Sequence, residues 1–282
     1  MRYLDPKNDL TFKKIFGDHP LLVKSLLNSL LPLTSPIVTV EYLQPELVPQ
    51  IPSFKNSIVD VKCTDQNNRI FIVEMQLFWT DGFKQRVVFN ASKSYVKQLG
   101  KSVEFKTLKP VYALSLVNEN FENDTDNFYH HYSLVHSYET DKKLEGLEFV
   151  FVELKKFKPQ NIIDKKMMVL WLRFLTEITD GITTIPQELL DNEETKEAVS
   201  ILEESSDTEA AVDIYDKYWD WVRSEKSLIN NATIKGFAEG KQDEKIAMTQ
   251  KLIAKGFDNE FIVELTNLSI SEIENIRNGS IS

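Results

Sequence analysis

The chain has 282 residues, 42% hydrophobic and 27% charged, which is enough to bury a core and is not the composition of a disordered polymer. No run of about 18 apolar residues occurs, which argues against a membrane-spanning helix, and a single cysteine, Cys63, excludes a disulfide framework and a cysteine-based zinc site. The net charge of −10 argues against nucleic acid only until it is divided: residues 181–282 hold 10 Lys and Arg against 21 Asp and Glu, leaving 23 against 22 in the first 180.

The opening MRYLDPKNDLTFKK is charged with no apolar block behind it, so a cytoplasmic protein without a secretory signal is expected. Asn8 and Asp9 precede an apolar-periodic stretch with Leu10, Ile15 and Phe16 that ends at Gly17, which predicts a capped helix. Leu21–Leu31 predicts a second helix, stopped by Pro32, and Ile37–Leu43 a β-branched strand. Two β-rich runs, IPSFKNSIVDVKC and RIFIVEMQLF, flank Asp65-Gln66-Asn67-Asn68 and predict a hairpin. An amphipathic helix over Asp81–Leu99, a buried strand over Val111–Val117, a polar loop over Asn118–Asp126 and a strand over Phe149–Leu154 follow. A boundary is expected near Pro159. Beyond it, residues 164–180, 193–204 and 207–255 are helical by period, and the tail reads as short helices broken at Gly256 and Asn267-Leu268-Ser269. The expected organisation is an α/β domain over 1–158, a helical region over 159–240 and a small helical module over 241–282.

The hairpin carries the chemistry. Residues two apart on a strand share a face, so Glu74 and Gln76 align with Ile70 and Ile72, and Asp60 and Lys62 with Ile58. Val59, Val61 and Cys63 make an apolar opposite face. With Asp65 opposite Arg69 across a three-residue loop, Asp60 falls opposite Glu74, and a one-residue slip would mismatch both faces. Like charges so placed destabilise a sheet, which demands a cation between them. Mg²⁺ uses few protein carboxylates and keeps its waters, so it fits, and Gln76 would reach the same water or a phosphate. The alternative is an edge hairpin with both carboxylates in solvent and Lys62 neutralising them. The apolar run around Glu74, from Phe71 to Phe78, argues instead for a central strand buried on both sides, where a carboxylate needs a partner or a metal.

In the next helix Phe83, Val87, Ala91, Tyr95 and Leu99 gather on one side and Arg86, Asn90, Lys93 and Lys97 nearly opposite. This stripe has no acidic residue and suits phosphate binding; the plainer alternative is a solvated helix face. Other motifs carry less. His130, His131 and His136 sit in strand-like alternation without zinc-ligand spacing. Cys63 reads as a small core residue, and no G-x-S-x-G motif supports serine catalysis. Tyr215, Tyr218, Trp219 and Val222 read as a packed helical seam. The tail has helix-turn-helix spacing, but Asp258, Glu260, Glu264, Glu272 and Glu274 stand against Arg277 and would repel phosphate, so a role in protein interaction or homo-oligomerisation is expected.

A strand with Asp, a turn, a strand with Glu-x-Gln and a basic helix come in that order. With NDLTFKKIFG at 8–17, SIVDVKC at 57–63, IFIVEMQ at 70–76, the helix bearing Arg86, Tyr95 and Gln98, PVYALSL at 110–116 and FVELKKF at 151–157, the chain resembles the recombination-promoting nuclease (Rpn) and PD-(D/E)xK nuclease-like transposase family. The resemblance implies a restriction-endonuclease-like core, a mixed sheet flanked by helices, followed here by an all-α region. It implies that Asp60 and Glu74 are catalytic metal ligands, that Asp9 is the acidic residue of the first motif at the same metal, and that Gln76 stands where the superfamily usually has a catalytic lysine. Gln76 is neutral, so Lys62 or Lys55 is expected to stand in; the alternative for Asp9 is a helix cap. The expected function is a Mg²⁺-dependent DNA endonuclease, with Mn²⁺ as a substitute, of low sequence specificity and serving recombination, element mobility or defence. Arg86, Asn90, Lys93 and Lys97 would lie on the DNA backbone, and no membrane partner is expected. The alternative is a catalytically weak nuclease fold that binds protein or DNA.

Overall fold

The computed structural model describes residues 3–47, 57–100, 104–159 and 166–279. Asn8 accepts a hydrogen bond from the Leu10 N–H and so caps α1 (Asp9–Asp18). Pro20 opens α2 (Pro20–Leu30) at a position where its missing N–H is no loss. Then come β1 (Val40–Tyr42), β2 (Glu46–Leu47), β3 (Ser57–Ile58), β4 (Val61–Asp65), β5 (Ile70–Gln76), α3 (Phe83–Val96), β6 (Val111–Val117), β7 (Tyr129–Val135) and β8 (Lys143–Glu153). The remainder is helical: α4 (Lys166–Glu177), α5 (Gln187–Leu190), α6 (Glu193–Glu204), α7 (Glu209–Ala254), α8 (Asn259–Thr266) and α9 (Ile270–Arg277).

The main sheet has the order β1-β4-β5-β6-β8-β7. β1, β4 and β5 are antiparallel, β5, β6 and β8 run parallel, and β7 returns antiparallel to β8. This is the expected mixed sheet flanked by helices. On one face α3 packs Phe83, Val87 and Ala91 onto Ile70, Ile72, Val111, Ala113, Phe149 and Phe151. On the other side of the hairpin α1 packs on β4, with Val61 beside Gly17, and α2 packs on β1.

The hairpin register is the expected one, pairing Val61 with Val73, Lys62 with Ile72, Cys63 with Phe71 and Thr64 with Ile70. Its loop is fixed by Asp65, whose Oδ1 accepts the Asn67 and Arg69 N–H groups and whose Oδ2 accepts the Arg69 side chain. Asn68 turns the chain at φ 59°, in the left-handed region that Asn tolerates. The expected alternation fails on the other side of β4. The Val59 N–H donates to the Pro45 carbonyl and β3 pairs with β2 as a separate two-stranded ribbon, so the chain bends at Asp60. Val59 therefore joins the Ile70 and Ile72 cluster instead of sharing a face with Val61 and Cys63, and Ile58 is left in solvent.

The first compact unit runs through Tyr215, past the boundary expected near Pro159, because α4 packs on α2 and α6 on both α1 and α2. Trp171 of α4 meets Phe16 edge-on at 5.4 Å and donates to the Ser25 hydroxyl. Tyr215 is buried, and its hydroxyl accepts the Asp5 N–H. The second unit begins at Asp216. In it Ile262, Leu268, Ile273 and Ile276 form a small core with Ile246, Leu252, Ile253 and Val263. Asn267 ends α8 in the left-handed conformation, and Ser269 with Glu272 forms a capping box for α9. Among the described residues no helix is long and apolar enough to cross a membrane.

Candidate active site

Glu74 and Gln76 lie at the C-terminal end of β5, a central strand with β4 on one side and β6 on the other. Glu74 is only 6% exposed. The β4 ladder stops at the Val61–Val73 pair. Beyond that pair the Asp60 side chain continues it: its Oδ2 accepts the Met75 N–H at 2.7 Å. The bend that interrupts β4 thus turns the Asp60 carboxylate onto β5, one residue from Glu74.

Each carboxylate meets its own cation. Asp60 Oδ1 lies 3.7 Å from Lys13 Nζ, and Lys13, on α1, also contacts both Asp9 oxygens at 2.7 and 2.9 Å. Glu74 Oε1 accepts from Asn90 Nδ2 at 3.0 Å, and its Oε2 lies 3.5 Å from Arg86 Nη2. Burial pushes the Asp60 carboxyl up to about 7; the Met75 N–H and Lys13 oppose the shift, while Asp9 and Glu74 add to it. Burial also raises Glu74, against the pull of Asn90 and Arg86. The Gln76 amide is held at both ends, accepting from Arg86 Nη2 at 2.7 Å and donating to the Phe78 carbonyl.

The donor set suits a hard divalent ion. Asp60 and Glu74 each commit one oxygen to a hydrogen bond from a neutral donor, and among the described residues the other oxygen faces a cation 3.5–3.7 Å away. Two such oxygens are a normal protein share for Mg²⁺, which keeps most of its waters.

The sequence model of the PD-(D/E)XK nuclease family transposases matches residues 6–232. The chain belongs to this family. No curated protein and no solved structure gives a match. Membership in the PD-(D/E)XK nuclease family supports a nuclease-type, phosphodiester-hydrolysing function.

The structure of this PD-(D/E)XK family member brings Asp60, Glu74, Gln76 and Arg86 together; Asp9, Lys62, Asn90 and Lys93 each have other contacts or surroundings than expected. Asp9 is not the cap, which is Asn8; it pairs with Lys13, which also reaches Asp60, and the described residues contain no group of three or more His, Cys, Asp or Glu able to hold a metal. Lys62 is buried on the α3 side of β4. Burial and the nearby Lys97 lower its pKa, and it makes no ion pair with Asp60 or Glu74 among the described residues. Lys55 lies outside the described residues. Asn90, expected on an exposed basic stripe, is 1% exposed, because α3 buries Phe83, Val87, Asn90, Ala91 and Ser94 over the sheet. Its amide serves Glu74 and is not presented to a phosphate. Lys93 donates to the Leu47 carbonyl, and Lys97 is exposed. Lys13 was not expected at the site. Its signal in the sequence is the Asp9–Lys13 spacing of four on a helix, which puts the two side chains on one face.

Cys63 is buried, and burial with Asp65 nearby pushes its thiol up to about 12, which leaves it inert. His130 and His131 pair with Glu153 and Glu148 respectively, as strand residues of β7 facing β8.

Proposed function

We propose that the protein is a Mg²⁺-dependent DNA endonuclease of low sequence specificity, accepting Mn²⁺ as a substitute and serving element mobility, recombination or defence. The observation that carries this reading is the hydrogen bond from Met75 to Asp60, which brings the Asp60 carboxylate beside Glu74 on β5, the second oxygen of each facing a cation rather than a neutral donor. Asp60 and Glu74 would hold the cation. When bound, it supplies a water of lowered pKa and neutralises charge on a phosphate oxygen. The Met75 N–H and the Asn90 amide hold the two carboxylates in place, and the Phe78 carbonyl holds the Gln76 amide toward the same edge. Lys97, with Lys93, would contact the flanking phosphate backbone. Such contacts carry no base information, so cleavage has weak sequence preference.

Plasmid nicking in Mg²⁺ by Asp60→Ala and Glu74→Ala tests the site, with Mn²⁺ calorimetry alongside. Both variants are expected to lose about a hundredfold or more in rate and to weaken Mn²⁺ binding. Nicking at the wild-type rate would dispose of the assignment. The neutral Gln76 favours a second reading, a nuclease fold retained for binding; that reading requires DNA binding without Mn²⁺ uptake.

The α8–α9 module is assigned to protein interaction, including homo-oligomerisation, since Asp258, Glu260, Glu264, Glu272 and Glu274 would repel phosphate. Deleting the chain from Gly240 onward is expected to lower the mass per particle in light scattering. An unchanged particle removes that role.

A further inference from the structure

We propose that Arg86, held by the Gln76 amide, is the residue that places positive charge on the scissile phosphate. The proposal rests on the nuclease reading above and deepens it. Hydrolysis of a phosphodiester builds negative charge on the phosphate oxygens in the transition state, and preorganised donors aimed at that charge lower the barrier. Gln76, two residues beyond Glu74 on the same strand face, has no charge to offer. Its carbonyl oxygen instead accepts from Arg86 Nη2 at 2.7 Å while its amide nitrogen is tied to the Phe78 carbonyl, so the amide is not free to flip.

The guanidinium is thereby fixed 3.5 Å from Glu74 Oε2, with its Cζ over the Phe83 ring at 4.8 Å from the centroid. Among the described residues its Nε and Nη1 donors make no hydrogen bond, and the side chain is 47% exposed. An anchored planar fork with spare donors matches the oxygens of a phosphate better than a point charge does. Among the described residues, the other cations near the carboxylates do not compete for this role. Lys13 is engaged by both oxygens of Asp9, and Lys62 is buried without an ion pair to either carboxylate among the described residues.

The test compares Arg86→Met with the double variant Gln76→Lys/Arg86→Met, by Mg²⁺-dependent nicking and by Mn²⁺ calorimetry. Arg86→Met is expected to nick about 10²–10³-fold more slowly while binding Mn²⁺ as tightly as wild type or more tightly, since a repelling charge beside Glu74 is gone. The double variant returns a cation to the strand position and is expected to regain at least about tenfold in rate, which a merely structural role for Arg86 would not produce. Nicking by Arg86→Met at the wild-type rate overturns the proposal. So does a double variant as slow as Arg86→Met with normal Mn²⁺ binding, or loss of Mn²⁺ binding in Arg86→Met. If wild type itself does not nick and its Mn²⁺ binding is indifferent to Glu74→Ala, the nuclease reading fails and takes this proposal with it, a result distinct from the other three.

Discussion

Asp60 is held by a hydrogen bond through one oxygen and faces Lys13 through the other. Its carboxyl, pushed up to about 7 by burial, must be deprotonated to hold a cation. Mn²⁺ affinity measured by calorimetry is therefore expected to rise about tenfold per pH unit up to neutrality and then to level off. The effect on stability has the opposite sign. The folded state binds this proton more tightly than the unfolded chain, whose Asp titrates near 3.8, so between about pH 4 and pH 7 the metal-free protein loses stability as pH rises. Asp60→Asn keeps an acceptor for Met75 and is expected to flatten that slope in thermal melts. The register of the β4–β5 ladder and the place of Glu74 on a buried central strand were legible in the sequence because pairing and alternation are local rules, whereas Asp60 reaches β5 through a bend that alternation does not predict. Lys13 and Asn90 reach the same carboxylates from α1 and α3, and periodicity does not say where a helix crosses a sheet. Hence Asn90 reads as part of a basic stripe in the sequence and is a buried ligand of Glu74 in the fold.

At the scale of elements, the β4–β5 turn was readable because Asp65 and Asn68 are turn residues whose side chains and φ tolerance set the loop. Asn68→Gly is expected to leave stability unchanged or raised, and Asn68→Val to cost about 1–2 kcal/mol, read from denaturant midpoints. The β2–β3 ribbon was not readable: strands of two residues have no period, and their pairing depends on the bend at Asp60. Another element-level device sits at the end of β8. The Glu153 side chain accepts the Phe121 and Glu122 N–H groups and contacts His130 and Lys156, which pins the polar loop after β6. Burial alone would raise its pKa, but Lys156, the two N–H groups and His130 more than offset that and lower it. Its contribution is present above the ordinary Glu range and is lost as pH falls through the depressed value. Glu153→Gln is expected to speed hydrogen exchange across residues 119–126 at neutral pH, and unchanged exchange would show that the loop is held by something else.

Over the whole molecule, composition separated a neutral first part from an acidic last third, and that division bears on DNA binding. Binding through phosphate contacts should weaken with salt at a slope of about −0.9 per contact on a log–log plot, and Lys97→Ala should reduce the slope by about one. A slope unchanged by Lys97→Ala would remove that residue from the interface. The expected boundary at Pro159 follows the change from mixed to helical pattern, whereas the first compact unit continues to Tyr215. The amphipathic pattern of α4 and α6 shows that each has a face to bury. It does not show that the receiving surface is α1 and α2, more than a hundred residues earlier in the chain.

A side chain that completes a strand's backbone bonding cannot swing away without leaving an amide orphaned. On the proposed nuclease reading, the reactive edge would therefore be organised before any ion arrived, and little ordering would remain to be done at capture. The cost of that readiness would be coupling: whatever frayed the last residues of the central strand would disarm the proposed chemistry in the same event.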